Sequence, residues 1–107
     1  MSQRQEKMNK ELVKIGNEYL NSISNRTSLI TVTRADISPN FRSATLFVSI
    51  FPDTKEEAAL VFLERKQRDI HQFLKQRMTS KVIPRITFTL DIGEKNRQRI
   101  DLLLKNE

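Results

Sequence analysis

Residues 54–91 read TKEEAALVFLERKQRDIHQFLKQRMTSKVIPRITFTLD, and the fold turns on how this stretch divides. Thr54-Lys55-Glu56-Glu57, just after Pro52, has the form of a helix start, in which the threonine hydroxyl accepts from the third helical amide and Glu57 reaches back to the threonine N–H. Apolar residues then recur at helical spacing. Advancing about 100° per residue places Ala59, Leu60, Leu63, Ile70, Phe73, Leu74 and Met78 in one broad stripe, with Arg65, Arg68, Gln72 and Lys75 on the opposite side. The pattern predicts one helix or a pair of helices, greasy on one face and cationic on the other. Ile83-Pro84 is expected to end it, because a proline ring drives the preceding residue out of the α region. From Arg85 to Ile92 the chain alternates, with Ile86, Phe88, Leu90 and Ile92 in one phase and Thr87, Thr89 and Asp91 in the other, which predicts a strand entered directly from the helix.

Working back toward the N-terminus, residues 3–23 give the cleanest helical pattern. Met8, Leu12, Ile15, Gly16, Tyr19, Leu20 and Ile23 form a narrow stripe, and Ser2 with Gln5 has the spacing of a capping box. Its mixed lysines and glutamates read as a solvated face. After a polar connector at 24–28, Leu29–Ile37 is rich in β-branched residues and predicts a strand. Ile30 and Val32 stand in one phase and Ala35 and Ile37 in the other, so either both faces are partly covered or a bulge near Thr33-Arg34 shifts the register. Ser38-Pro39-Asn40 supplies a turn. Ser43–Phe51 is the next strand, with Ala44, Leu46, Val48 and Ile50 on one face and Thr45, Phe47, Ser49 and Phe51 on the other. Packing at the edge of the core, or cover from the C-terminal segment, is the expected account of Phe47 and Phe51, with stacking on nucleobases as the alternative. Beyond Asp91, Ile100, Leu103 and Leu104 suggest a short tail helix.

A length of 107 residues without repeats or low-complexity segments predicts one domain over 1–107, with 93–107 as a loosely attached tail helix. The apolar share of 37% is low and the charged share of 30% high, so part of the core is expected to lie under lysine and arginine stems. The absence of cysteine excludes disulfides and thiolate metal sites. With no signal peptide and no apolar run near the roughly 20 residues a bilayer demands, a cytoplasmic protein without a membrane partner is expected. The net charge of +6 points to a polyanion as partner, most often nucleic acid.

This order of elements, taken with Ser38, the strand Ala44-Thr45-Leu46-Phe47-Val48-Ser49 and the segment Val82-Ile83-Pro84-Arg85-Ile86-Thr87-Phe88 closing on Asp91, resembles the ribosome-binding factor A family of bacterial and organellar assembly proteins. The likeness runs from the first helix to the tail. Its most specific pieces are Ala-x-x-x-Val-Ser and Val-x-Pro-x-x-x-Phe-x-x-Asp, each anchored at several fixed positions. The resemblance implies an α+β, type II KH-like domain: helix-strand-strand-helix-helix-strand and a short C-terminal helix, with the helices on one face of a three-stranded sheet. It also implies a non-catalytic assembly factor that binds the small ribosomal subunit and its rRNA during late maturation and rRNA processing. The chain departs from the family at three places. Arg65-Lys66-Gln67-Arg68 replaces the small residue and glycine usual between the central helices, Asn40 stands where aspartate is common, and His71 where arginine is common.

Arg65, Lys66, Arg68, Lys75, Arg77, Lys81 and Arg85 are the candidate RNA-binding residues, seven cations in a short span relieved only by Asp69. Lys66 and Arg77 lie nearer the apolar stripe. The rival accounts are a merely solubilising helix face, a general single-stranded RNA binder, and a protein-interaction module using Phe47 and Phe51. An enzyme is not expected. His71 is the lone histidine and borders the apolar stripe, no acid cluster has metal-ligand spacing, and two glycines in all make no phosphate loop. No cofactor, no metal and no small-molecule substrate are therefore expected, and the protein is expected to be a monomer off the ribosome.

Overall fold

The computed structural model describes residues 2–23 and 28–105, so most of the predicted connector lies outside the described residues. The elements run α1 (Gln3–Ser22), β1 (Leu29–Ile37), β2 (Ser43–Phe51), a 3-10 turn at Asp53–Lys55, α2 (Glu56–Glu64), α3 (Gln67–Arg77), β3 (Arg85–Leu90) and α4 (Ile92–Lys105). The sheet order is β1-β2-β3, β1 antiparallel and β3 parallel to β2. This is the expected α+β arrangement, with the helices against one face of a three-stranded sheet.

Helix α1 begins as its sequence dictates: the Ser2 hydroxyl accepts from the Gln5 N–H at 3.1 Å, and the Gln5 side chain accepts from the Ser2 N–H at 3.0 Å. Its stripe of Leu12, Ile15, Tyr19 and Leu20 is buried against the sheet. Close approach is possible because Gly16 faces the strands. A Cβ there would stand 3.2 Å from both Leu46 Cδ1 and Val32 Cγ2. The helix also ties itself to the outer side of β1. Asn17 accepts from the Val32 N–H at 2.8 Å and donates to the Val32 carbonyl at 3.1 Å, and Asn9 Oδ1 accepts from the Ile37 N–H at 2.8 Å.

The phase switch in β1 is a bulge. Val32 pairs with Val48 and Arg34 with Phe47, leaving Thr33 as the extra residue. Val32 and Ile37 therefore both face the core despite the odd spacing, alongside Ala44, Leu46, Val48 and Ile50 from β2 and Ile86 from β3. Leu63, Ile70 and Leu74 close over them from α2 and α3. Full burial of a leucine or isoleucine contributes about 1.5–3 kcal/mol, so these residues dominate stability.

Three local expectations change. Thr54 does not cap a helix, since it lies inside the 3-10 turn after Pro52, and α2 starts at Glu56 with no side-chain cap. Pro84 does not end α3, which stops at Arg77. Met78 turns extended (φ −104°, ψ 145°) while its side chain stays in the core, so the last apolar contact of the stripe sets the end and Pro84 shapes only the approach to β3. Strand β3 ends at Leu90, and Ile92 opens α4 instead of continuing the alternation.

Asp91 explains that last change. Its carboxylate accepts from the Glu94 N–H at 3.0 Å, capping α4, and from the hydroxyl of the bulged Thr33, while Arg34 Nε lies 3.6 Å away. Helix α4 is fastened again one turn on, where Lys95 Nζ donates to both oxygens of Glu56 at 2.6 and 2.9 Å. Further along, Ile100, Leu103 and Leu104 are exposed. On the open face of the sheet, Phe51 is 71% exposed, without the cover expected for it, and Phe47 lies under the Arg34 guanidinium.

The hydrogen bonds from Thr33 and the Glu94 N–H, with the nearby Arg34 charge, hold the Asp91 pKa below its usual range against the opposing effect of burial. A carboxylate with a lowered native pKa stabilises the fold above its unfolded pKa, about 3.9, and loses that contribution as pH falls through the native value. Asp91→Asn is expected to cost about 1–3 kcal/mol at pH 7, and the gap in melting temperature to the parent should narrow below about pH 4. A gap independent of pH would assign the loss to packing. Gly16→Val should cost about 1–3 kcal/mol by forcing α1 off the sheet, seen as a lower midpoint in urea; an unchanged midpoint would refute the close-approach account.

Candidate nucleic-acid interface

On α3, Arg68, Gln72 and Lys75 succeed one another at three- and four-residue intervals and so share the face turned from the core, with the half-buried His71 at its border. Next to that face the chain enters β3. The Arg85 N–H donates to the Arg42 carbonyl at 2.8 Å, and Arg85 stands in register with Ser43. Arg68, His71, Gln72 and Arg85 line a hollow between α3 and the start of β3, and Arg42, His71 and Arg85 line a second beside the β1–β2 turn, so the two adjoin at His71 and Arg85 and together form the cationic cleft. His71 is fixed at its edge, with Nδ1 3.3 Å from the Pro84 carbonyl oxygen.

The turn that delivers Arg42 is tightly determined. The Ser38 N–H donates to the Ser43 carbonyl at 2.8 Å and the Phe41 N–H to the Ser38 carbonyl at 2.9 Å. Asn40 Oδ1 accepts from the Arg42 N–H at 3.0 Å, and the Ser38 hydroxyl accepts from the Ser43 N–H at 3.1 Å. Phe41 pays for this with φ 61°, a left-handed conformation unusual for a bulky residue. Such strain persists only where surrounding bonds overdetermine the backbone. Asn40 thus accepts the bond that sets the direction of Arg42.

The charge on this face is uncompensated. Among the described residues, no carboxylate forms an ion pair with Arg42, Arg65, Arg68, Lys75, Lys81 or Arg85. Asp69, the one acid inside the run, is engaged on the other side of α3, where it accepts from the Tyr19 hydroxyl at 2.7 Å. Burial, reinforced by that carboxylate, pushes the Tyr19 pKa above the ordinary tyrosine range, so the phenol stays a donor. Several like charges without partners raise the local potential and concentrate anions beside it.

The seven predicted cations are not all brought together. Arg68 and Arg85 line the cleft, and Lys75 lies one to two turns along the same face of α3. Arg65 is exposed at the α2–α3 junction and Lys81 in the connector before β3. Arg77 turns away toward α1, bonded to Glu18 at 2.8 Å and resting 4.6 Å from the Phe73 ring centroid. Lys66 is half-buried, its ammonium 5.4 Å from the Phe62 centroid. Arg42 was absent from the sequence-based set, because only the β2–β3 register shows that it stands beside Arg85. The junction between α2 and α3 is made without glycine. Arg65 and Lys66 keep negative φ, and the Lys66 N–H bonds the Leu63 carbonyl at 2.9 Å, tightening one turn. No group of His, Asp and Glu suited to a metal occurs among the described residues, and no described helix is long and apolar enough to cross a membrane.

The sequence profile of the family described as Ribosome-binding factor A matches residues 4–104. A Thermomicrobium roseum ribosome-binding factor A is 32% identical over 81 residues, 75% of this chain and 63% of that protein, so the match spans a little under two thirds of that relative. The Moorella thermoacetica ribosome-binding factor A is 31% identical over 102 residues, 92% of this chain and 82% of that protein. The crystal structure of ribosome-binding factor A from Thermus thermophilus superposes with a TM-score of 0.72 at 23% identity, over 80% of this chain and 94% of that one. A homology model of the Thermus protein, fitted into the cryo-EM map of its complex with the 30S subunit, gives 0.66 at 25% identity over 75% and 87% of the two chains. With nearly its whole length matched by the profile and its fold shared with these structures, the chain belongs to the ribosome-binding factor A family.

Proposed function

We propose that this protein binds the small ribosomal subunit through its rRNA during late maturation, and that it acts by occupancy, without catalysis. The observation that carries the reading is the unpaired cationic cleft of Arg42, Arg68 and Arg85, flanked by Lys75. A relative in this family is placed in a 30S complex, which supports the same partner here. Guanidinium groups suit this task, since each offers planar, paired donors to phosphate oxygens and keeps its charge at any cellular pH.

In this reading the absence of glycine between α2 and α3 is answered by reach. Phosphates are met by long side chains projecting from α3 and β3 instead of by a close backbone approach. The buried stripe beneath holds those side chains on a rigid support, so docking orders little additional chain. Occupancy then keeps an rRNA segment in or out of a competing pairing until the factor leaves, which calls for moderate, salt-sensitive affinity. The chain acts as one domain, in the cytoplasm.

Charge reversal of Arg42, Arg68 and Arg85 together is expected to lower the affinity for purified small subunits at least about tenfold. It should also flatten the salt dependence by about 0.7 per lost contact, with the melting temperature nearly unchanged because all three are exposed. The comparison variant, Arg77→Gln, should bind like the parent. Undiminished co-sedimentation of the triple variant would move the interface off this cleft. Equal binding to an unrelated single-stranded RNA would replace the subunit-directed reading with a general RNA binder.

A further inference from the structure

The open face of the sheet carries an arrangement that the cleft does not use. Helices cover one face only, and the bulge at Thr33 returns Arg34 to the other, in register with Phe47. The outward residues then fall into rows: Leu29 beside Phe51, Thr31 beside Ser49, Arg34 beside Phe47 and Thr89, and Asp36 beside Thr45 and Thr87. In the central row the Arg34 guanidinium lies 3.6 Å from the Phe47 ring centroid, the spacing of a stacked pair, while Asp91 holds its Nε edge at 3.6 Å. A ring below and a carboxylate at one side leave the upper surface of the guanidinium to solvent, and the side chain is 59% exposed.

We infer that Arg34, stacked on Phe47, is a platform for one unpaired nucleobase, and that the open sheet face is a second contact for single-stranded RNA; this rests on the reading of the cleft as an RNA site. Bases stack on guanidinium planes as well as on aromatic rings. Here the plane is already fixed, so stacking orders no further side chain. The hydroxyls of Thr45, Ser49, Thr87 and Thr89 surround it and can meet base edges or 2′-hydroxyls. Charge and continuity name the occupant. Arg85 projects from the same face of β3 as Thr87 and Thr89, yet also lines the cationic cleft. Four residues of strand, about 13 Å at about 3.3 Å each, separate the Arg85 row from the Arg34 row. One short strand of RNA held by Arg42, Arg68 and Arg85 can therefore run over Thr87 and Thr45 and place a base on Arg34. Asp36 takes the β1 end of the intervening row, which directs the path over β2 and β3.

The test is a short single-stranded RNA bearing 2-aminopurine, whose fluorescence falls on stacking, titrated with the full chain at two salt concentrations. The parent should quench the label. Arg34→Lys, which keeps the charge and loses the plane, should remove most of the quench and weaken binding about fivefold or more, with the salt slope unchanged. Phe47→Leu, a second route to the same loss, should do likewise. The triple variant of the cleft should instead lose affinity together with salt slope. Binding with no quench, or with a quench that both Arg34→Lys and Phe47→Leu preserve, overturns this inference and leaves the cleft reading standing; no binding by the parent overturns both. A salt-resistant dimer of the protein alone that Phe51→Ser dissociates would assign the face to a second copy, and would equally overturn it.

Discussion

A three-stranded sheet has two faces, and the apolar stripes of the helices in this chain cover one. That constraint arranges everything else. The stripes of α1, α2 and α3 all go to the same side, where Leu12, Leu46, Leu63, Ile70, Leu74 and Ile86 lose contact with water altogether. The cations of α3 are consequently driven outward on one surface, since the opposite side of the helix is spoken for. The second sheet face is left to threonines, serines, two phenylalanines, Leu29 and the charged Arg34, Asp36 and Arg85, and β3, with one edge beside β2 and its first residue beside α3, is the seam where the two surfaces meet. The cleft and the open face are therefore products of the same one-sided packing.

Much of this was legible in the sequence because the signals were repeated. Four elements declared themselves by period alone, the capping pair at Ser2 and Gln5 was read from its spacing, and the change of phase in β1 left a bulge near Thr33-Arg34 as one of two readings until the strand register decided for it. The misreadings share a cause. Thr54, Pro84 and Ile92 each carry a local preference that tertiary structure outweighs: a proline-led 3-10 turn, a methionine held in the core, and a buried aspartate that caps a helix where the alternation predicts more strand. The interface was legible in its center and blurred at its edges. Arg68 and Arg85 follow from helix phase and strand phase. Arg42 depends on cross-strand register, and the stack of Arg34 on Phe47 depends on a bulge, both of which relate residues that composition cannot connect. Arg77 belongs to the same helix as Arg68, yet a glutamate on α1, distant in sequence, claims it.

Electrostatics and packing are coupled at two carboxylates. Asp91 joins the bulge, the stacked arginine and the start of α4 in a single site, so the geometry of the open face is tied to the integrity of the fold. Asp69 is withdrawn from the cationic surface by the Tyr19 hydroxyl, whose ring in turn packs 5.4 Å from Phe73. That bond turns the one carboxylate of the run toward α1, away from the outward side chains of Arg68 and Lys75.

The amides that α1 lends to β1 have a consequence for how copies of the chain behave toward one another. A bare strand margin is a template on which any extended segment can crystallise. Asn17 occupies both backbone groups of Val32, and Asn9 and Gln5 take the N–H and the carbonyl of Ile37, so that margin is interrupted at its middle and at its far end. A folded molecule thus offers neighbours fewer backbone groups to zip onto along β1, because three side chains of α1 already hold them.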